Sequence, residues 1–231
     1  MTGDSRTEAA QMPSATPGKP RRASRPGKAA ESTRDRLMRA ARGEFTQHGF
    51  AGARVERILA KARVNPRMLY HHFPGKSGLY IAVLENALGE LRQQELSLDV
   101  EKADPLEGLL QLFDFLNDHF EANQDLVRLL SGENLLQARF MRRSTRIREM
   151  SSPTLAMIDQ LLARGGESGD LAPGHDALRL YVLIVALTQF HLSNVHTLSV
   201  IFEQDLAEPR WRAARRADAR MMLRRFLLDA K

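Results

Sequence analysis

From Ser32 onward apolar positions recur at helical spacing, and nowhere do they alternate long enough to suggest a strand. Leu37, Ala40, Ala41, Glu44 and Phe45 fall at i, i+3, i+4, i+7 and i+8, with Glu44 the one polar interruption of the stripe. Ser32 or Thr33 is placed to cap that helix, and Gly49 to end it after His48. A second helix is predicted over Val55–Ala62, with Val55, Ile58, Leu59 and Ala62 on one face. Asn65-Pro66 then opens a third: asparagine is a favoured N-cap, and proline suits the first helical position, where its missing N–H costs nothing. That helix runs to about His72. Phe73-Pro74-Gly75-Lys76-Ser77 breaks it, and Ser77 is predicted to cap a long fourth helix from Gly78 to about Gln94.

Helical patterns continue over 105–121, 124–137, 153–164, 174–195 and 209–229, while 138–152 reads as either helix or loop. Gly165-Gly166-Glu167-Ser168-Gly169 and Ala172-Pro173-Gly174 punctuate two of the joins. The predicted fold is all-α. Only Arg63-Val64-Asn65 separates the second and third helices, a connection of the length found in a helix-turn-helix, here spanning Val55–Phe73.

Charge sharpens this picture. The formal net charge is +6, but residues 1–31 carry +3, residues 32–80 carry +7 and residues 81–231 carry −4. A basic first third followed by a mildly acidic remainder points to a polyanion bound near the N-terminus. Residues 1–31 hold Pro13, Pro17, Pro20 and Pro26 among Ser, Ala and Gly, with almost nothing large and apolar to bury, and read as a disordered tail. Its Lys19-Pro-Arg-Arg-Ala-Ser-Arg25 cluster fits a basic arm in a minor groove and a solubilising tail equally well.

The absence of cysteine excludes thiol chemistry, disulfides and thiolate metal sites. No apolar run of about 18 residues occurs, and the stretch behind Met1-Thr-Gly-Asp-Ser-Arg6 is not apolar, so a cytoplasmic protein with neither span nor signal peptide is expected. Gly75-Lys76-Ser77 invites comparison with a phosphate-binding loop, but the required earlier glycine falls at Tyr70 and a helix precedes it.

Gly49-Phe50, Val55-x-x-Ile58, Ala62-x-Val64 and Leu69-Tyr70-x-His72-Phe73-x-Gly75-Lys76-x-x-Leu79 together resemble the TetR/AcrR family of transcriptional regulators. The resemblance implies a three-helix DNA-binding domain, here residues 32–92, followed by a helical effector-binding and dimerisation domain, residues 93–231. Implied partners are double-stranded operator DNA, a second copy of the chain and a small-molecule effector. No membrane, cofactor or metal ion is expected. The family pattern has a capping threonine where this chain has Arg54, a turn glycine where it has Arg63, and a small residue where it has Leu59.

Ile58, Val64, Leu69 and Phe73 form the packing that sets the angle between the two helices. The start of the third helix enters the major groove in such motifs, which makes Asn65, Arg67 and Met68 the candidates for base edges. Arg67 is foremost, because a guanidinium pairs with guanine O6 and N7 in bidentate fashion. Arg54, Tyr70, His71, His72 and Lys76 are the candidates for phosphate contacts. In the second domain, Phe113, Met157, Gln189, Phe190 and Asn194 are the candidates for an effector pocket. The polar run Gln189–His196 also resembles a subgroup whose best-known member responds to free pyrimidines. His191 and His196 lie five apart, a poor fit to a metal site on one helix face.

Two helices are candidates for a dimer interface. One carries Ala177, Leu180, Tyr181, Ile184, Leu187 and His191; the other carries Trp211, Ala214, Met221, Leu223, Phe226 and Leu227. The expected function is a sequence-specific repressor released from its operator by the effector. A sequence-indifferent architectural DNA binder would share the basic first third. An enzyme would need a nucleophile–base pair or ligand spacing, and the sequence offers neither.

Overall fold

The computed structural model describes residues 1–3, 31–98, 100 and 103–229. The predicted tail and its basic cluster lie outside the described residues, apart from the ends. Ser32–Lys231 form one compact unit. Its described residues contain α1 (Thr33–Gly52), α2 (Val55–Ala62), α3 (Pro66–His72), α4 (Gly75–Leu96), α5 (Pro105–Ala122), α6 (Gln124–Leu135), a 3-10 turn (Met141–Arg143), α7 (Thr145–Glu149), α8 (Ser152–Ser168), α9 (Ala177–Ser193), α10 (Val195–Ile201) and α11 (Pro209–Leu228), with no strand among them.

Local chemistry explains the first three helices. The Ser32 hydroxyl accepts from the Asp35 N–H at 3.1 Å and caps α1. Gly49 breaks that helix with φ +63° and ψ 178°, a conformation that only glycine adopts readily, and the last turn resumes beyond it. Asn65 Oδ1 accepts from the Met68 N–H at 3.1 Å, and Pro66 follows as the first residue of α3.

Later elements depart from expectation in ways the packing explains. Ser77 does not cap α4. The helix begins at Gly75, after the extended backbone of Phe73 and with Pro74 at the N-cap, and no side chain closes its first turn. α8 runs through Gly165 to Ser168, because Leu171 folds back onto that glycine and a Cβ there would meet Leu171 Cδ1 at 2.3 Å. Residues 138–152 contain both a 3-10 turn and α7, and the chain bends at Asn194 into α10.

A continuous core runs from Leu37 and Phe45 of α1 through Leu79 and Leu84 of α4 to Phe113, Leu116 and Ile184 of α5 and α9. The boundary expected at residue 92 falls inside α4, which therefore belongs to the basic first part and the acidic second part alike. α1 packs against α2 and α4, and also against α6. Among the described residues no single helix is long and apolar enough to cross a membrane.

Candidate DNA-binding surface and effector cavity

Arg63 closes α2 with φ +54° and ψ 51°, so the turn takes up the left-handed conformation that the missing glycine would have eased. Its N–H donates to Ala60 O and the Val64 N–H to Leu59 O, and α3 departs two residues later. Ile58, Leu69 and Phe73 are buried beneath the turn, with Val64 partly buried against them. The packing half of the motif thus sits where the sequence pattern places it.

The other half faces outward. Arg54, Asn65, Arg67, Tyr70 and His71 are exposed, Tyr70 by 67%. Met68 and His72 are half-buried, and the His72 Nε2 is enclosed without a partner. Lys76 is also half-buried, its Nζ held 4.7 Å from the centre of the Phe50 ring, a cation–π contact that leaves its charge beside the start of α4.

Glu44 has a role that the sequence pattern does not reveal. α2 has no side-chain cap of its own. Instead, the buried Glu44 carboxylate accepts from the Arg54 N–H at 3.0 Å and from Arg57 Nε at 2.7 Å. The Arg57 hydrogen bond holds the Glu44 carboxyl below its usual range, against the opposing effect of burial. A group whose folded pKa is depressed contributes stability above its unfolded pKa and loses it as the pH falls through the folded one. Glu44→Gln is expected to cost about 1–3 kcal/mol at pH 7. In urea unfolding the gap to the parent should shrink as the pH falls below about 4; a gap of constant size from pH 7 to pH 3 would remove the ionic part of this account.

In the second part, a cavity of about 200 Å³ lies between α4, α5, α6, α7 and α9, walled by Leu88, Leu91 and Phe120 and carrying Arg92, Tyr181 and Gln189 as polar groups. Of the five residues predicted to line a pocket, Gln189 alone lines this cavity. Phe113 is fully enclosed in the core and Met157 packs half-buried on α8. Phe190, one residue on from Gln189, is turned outward and 60% exposed. The Asn194 amide donates to Phe190 O at 2.9 Å and Ser193 Oγ at 3.1 Å, at the end of α9.

Behind the cavity lies a buried polar cluster. Glu95, with 0% exposure, accepts from Arg92 Nη1 at 2.6 Å, Thr154 Oγ1 at 2.9 Å and Tyr181 Oη at 2.9 Å. Burial, followed by the Glu95 charge, pushes the Tyr181 phenol well up, so it stays a neutral donor. The two parts of the chain meet at Arg42 of α1, which pairs with Asp125 of α6 and, at 2.6 Å, with Glu90 of α4.

The dimer-interface stripe expected on α9 requires correction. Ala177, Leu180, Ile184 and His191 are buried within the chain, with Tyr181 and Leu187 half-buried; the exposed apolar stripe is Leu178, Val182, Ala186 and Phe190. α11 divides in the same way. Leu223 and Leu227 are buried, whereas Met221, Met222 and Phe226 are exposed. Its arginines do not face solvent alone: Arg216 pairs with Asp114 and Asp118, and Arg220 with Asp114 and Glu107, fastening α11 to α5.

A helix-turn-helix with an exposed, basic recognition helix, joined through α4 to a helical unit enclosing a small cavity, defines the class: a DNA-binding transcriptional regulator. Residues 37–83 match the family of bacterial regulatory proteins of the tetR type, and residues 105–222 match the tetracyclin repressor-like C-terminal domain. The chain is 33% identical over 184 residues to the transcriptional repressor NicS of Pseudomonas putida, covering 80% of this chain and 87% of that one. It is 31% identical over 170 residues to the transcriptional regulator RutR of Escherichia coli K12, covering 71% and 76%. The fold also matches the crystal structure of SCO4942 from Streptomyces coelicolor, with a TM-score of 0.65 and 26% identity over 85% of this chain and 98% of that one. The chain belongs to the TetR family of transcriptional regulators.

Proposed function

We propose that the protein is a homodimeric cytoplasmic repressor that reads its operator through α3 and releases it when a small molecule enters the cavity bounded by α4 and α9. The observation that carries the DNA half is Arg67, exposed on the first turn of a helix capped by Asn65 and free of the core beneath it. In this reading Asn65, Arg67 and Met68 face base edges, and Arg54, Tyr70, His71, His72 and Lys76 face phosphates. Phe113, Met157, Phe190 and Asn194 have no part in the effector site. Arg92, Tyr181 and Gln189 supply its polar contacts.

Coupling follows from α4 and Arg42. An effector that favours one placement of α4 over another also shifts α1, because Glu90 and Asp125 hold Arg42 from both neighbouring helices. The two binding events are then linked reciprocally.

Selection of bound sequences from random duplex DNA at near-physiological salt tests the reading. An inverted repeat is expected, and Arg67→Ala should lower affinity for it by about 1–3 kcal/mol while leaving non-specific binding largely unchanged. Strong, salt-dependent binding with no enriched sequence would replace the regulator with an architectural protein.

A further inference from the structure

The end of α2 opposite Arg54 carries a second concentration of positive charge to which the recognition surface gives no role. A cleft of about 610 Å³ opens there between α1 and the turn, lined by Arg36, Arg39, Lys61 and Arg63 and by Ala40 and Ala62. None of the lining residues is acidic. Arg36 donates from Nη2 to Thr33 Oγ1 at 3.3 Å, and its Nε is enclosed without an acceptor. Lys61 Nζ lies over Gly43, so close that a Cβ there would stand 3.2 Å away. Arg63 occupies the left-handed region, where glycine would cost less. Like charges gathered around an open cleft, one of them held in an unfavourable backbone conformation, suit a bound anion better than they suit folding.

We infer that this cleft is a second phosphate-binding surface, engaging the DNA backbone across the major groove from Arg54. The inference rests on α3 entering the groove. Arg54 and Arg63 bracket α2, whose eight residues span about 12 Å at the helical rise. The major groove of B-DNA is about 12 Å wide, so a helix of this length across its mouth offers one cationic end to each backbone. Arg36, Lys61 and Arg63 then contribute affinity without reading sequence.

The test uses the full chain, a selected operator and a salt titration. Arg63→Gly removes the cation and relieves the backbone, so it is expected to raise Tm by about 2–4 °C and weaken operator binding about fivefold near 0.15 M salt. It should also flatten the slope of log K against log salt by about 0.9. Lys61→Gln should give the same loss and flattening without the gain in Tm.

Opposite movement of stability and affinity in Arg63→Gly is what a merely solvated charged face would not produce. Unchanged slopes in both variants, with sequence-selective binding by the parent intact, would overturn the cleft alone. An Arg67→Ala variant as selective as the parent would remove the groove reading on which the cleft depends. A final arm adds pyrophosphate to DNA-free protein at constant ionic strength: a rise in Tm that Arg63→Gly abolishes, with the DNA salt slope unmoved, would reassign the cleft to a free phosphate ligand.

Discussion

Glu95→Ala is expected to lower the stability of the folded chain by about 3–5 kcal/mol, because it leaves Arg92 charged and largely enclosed without its counter-ion. For a protein of this size that is a fall in Tm of about 6–20 °C. Arg92, Thr154 and Tyr181 all direct their donors at this one carboxylate, and once it is gone Arg92 is left with the neutral Tyr181 hydroxyl as its partner. Glu95→Gln keeps the volume and one acceptor oxygen, and is expected to lose about 2 kcal/mol, chiefly the charge-assisted bond to Arg92. Thermal unfolding of the three proteins at one pH separates the contributions. A fall in Tm below about 3 °C for Glu95→Ala would mean that Arg92 is rehydrated through the cavity it lines, and that the cavity holds water when empty of effector. The same experiment bears on effector binding, since Glu95 fixes where Arg92 and Tyr181 sit in the wall.

The parts of the structure legible in the sequence are those set by short-range chemistry. Gly49, Asn65 and Pro66 fix their own backbones, so α2 and α3 fall where expected, and the end expected for α1 at Gly49 is a kink with one more turn to Gly52 beyond it. Of the residues proposed to face DNA, Arg54, Asn65, Arg67, Tyr70 and His71 are exposed and Met68, His72 and Lys76 half-buried, because one short helix, capped at Asn65, leaves little freedom of register. What the sequence conceals depends on long-range partners. Glu44 looks like an interruption of an apolar face, and its purpose emerges only when Arg54 and Arg57 are brought to it from α2. Arg92 looks like a surface residue of α4 until the buried Glu95 and Tyr181 enclose it.

α9 misleads for a different reason. Its sequence is apolar almost all round, so periodicity alone does not tell the inner face from the outer. Gln189 and Phe190 therefore look equivalent, although about 100° of helical turn carries one into the cavity wall and the other to the surface. Gly165 misleads because glycine usually ends a helix, whereas here it admits Leu171 to the side of one.

The outer face of α9 leads to the second large effect. Val182→Asp combined with Phe190→Glu is expected to yield a folded monomer whose operator affinity falls by a factor of about 10² to 10⁴. Both side chains are exposed and make no use of the core, so the substitutions should leave the monomer fold intact. A chain leaving Leu178, Val182, Phe190, Met221, Met222 and Phe226 exposed on two helices has an apolar surface of the kind that marks an interface. The arginine ladder from α11 to α5 turns Arg216 and Arg220 toward Asp114, Asp118 and Glu107, while Met221, Met222 and Phe226 stay exposed beside the buried Leu223 and Leu227. Two such helix pairs packing about a two-fold axis make a four-helix isologous interface. In the proposed dimer the same axis would set two copies of α3 about one helical turn of DNA apart, and the second half-site would be bound at the effective concentration of a linked site. Sedimentation velocity and operator titration on the same samples measure both consequences. A dimer that survives both substitutions would move the interface elsewhere; a monomer that binds the operator as tightly as the parent would break the link between dimerisation and recognition.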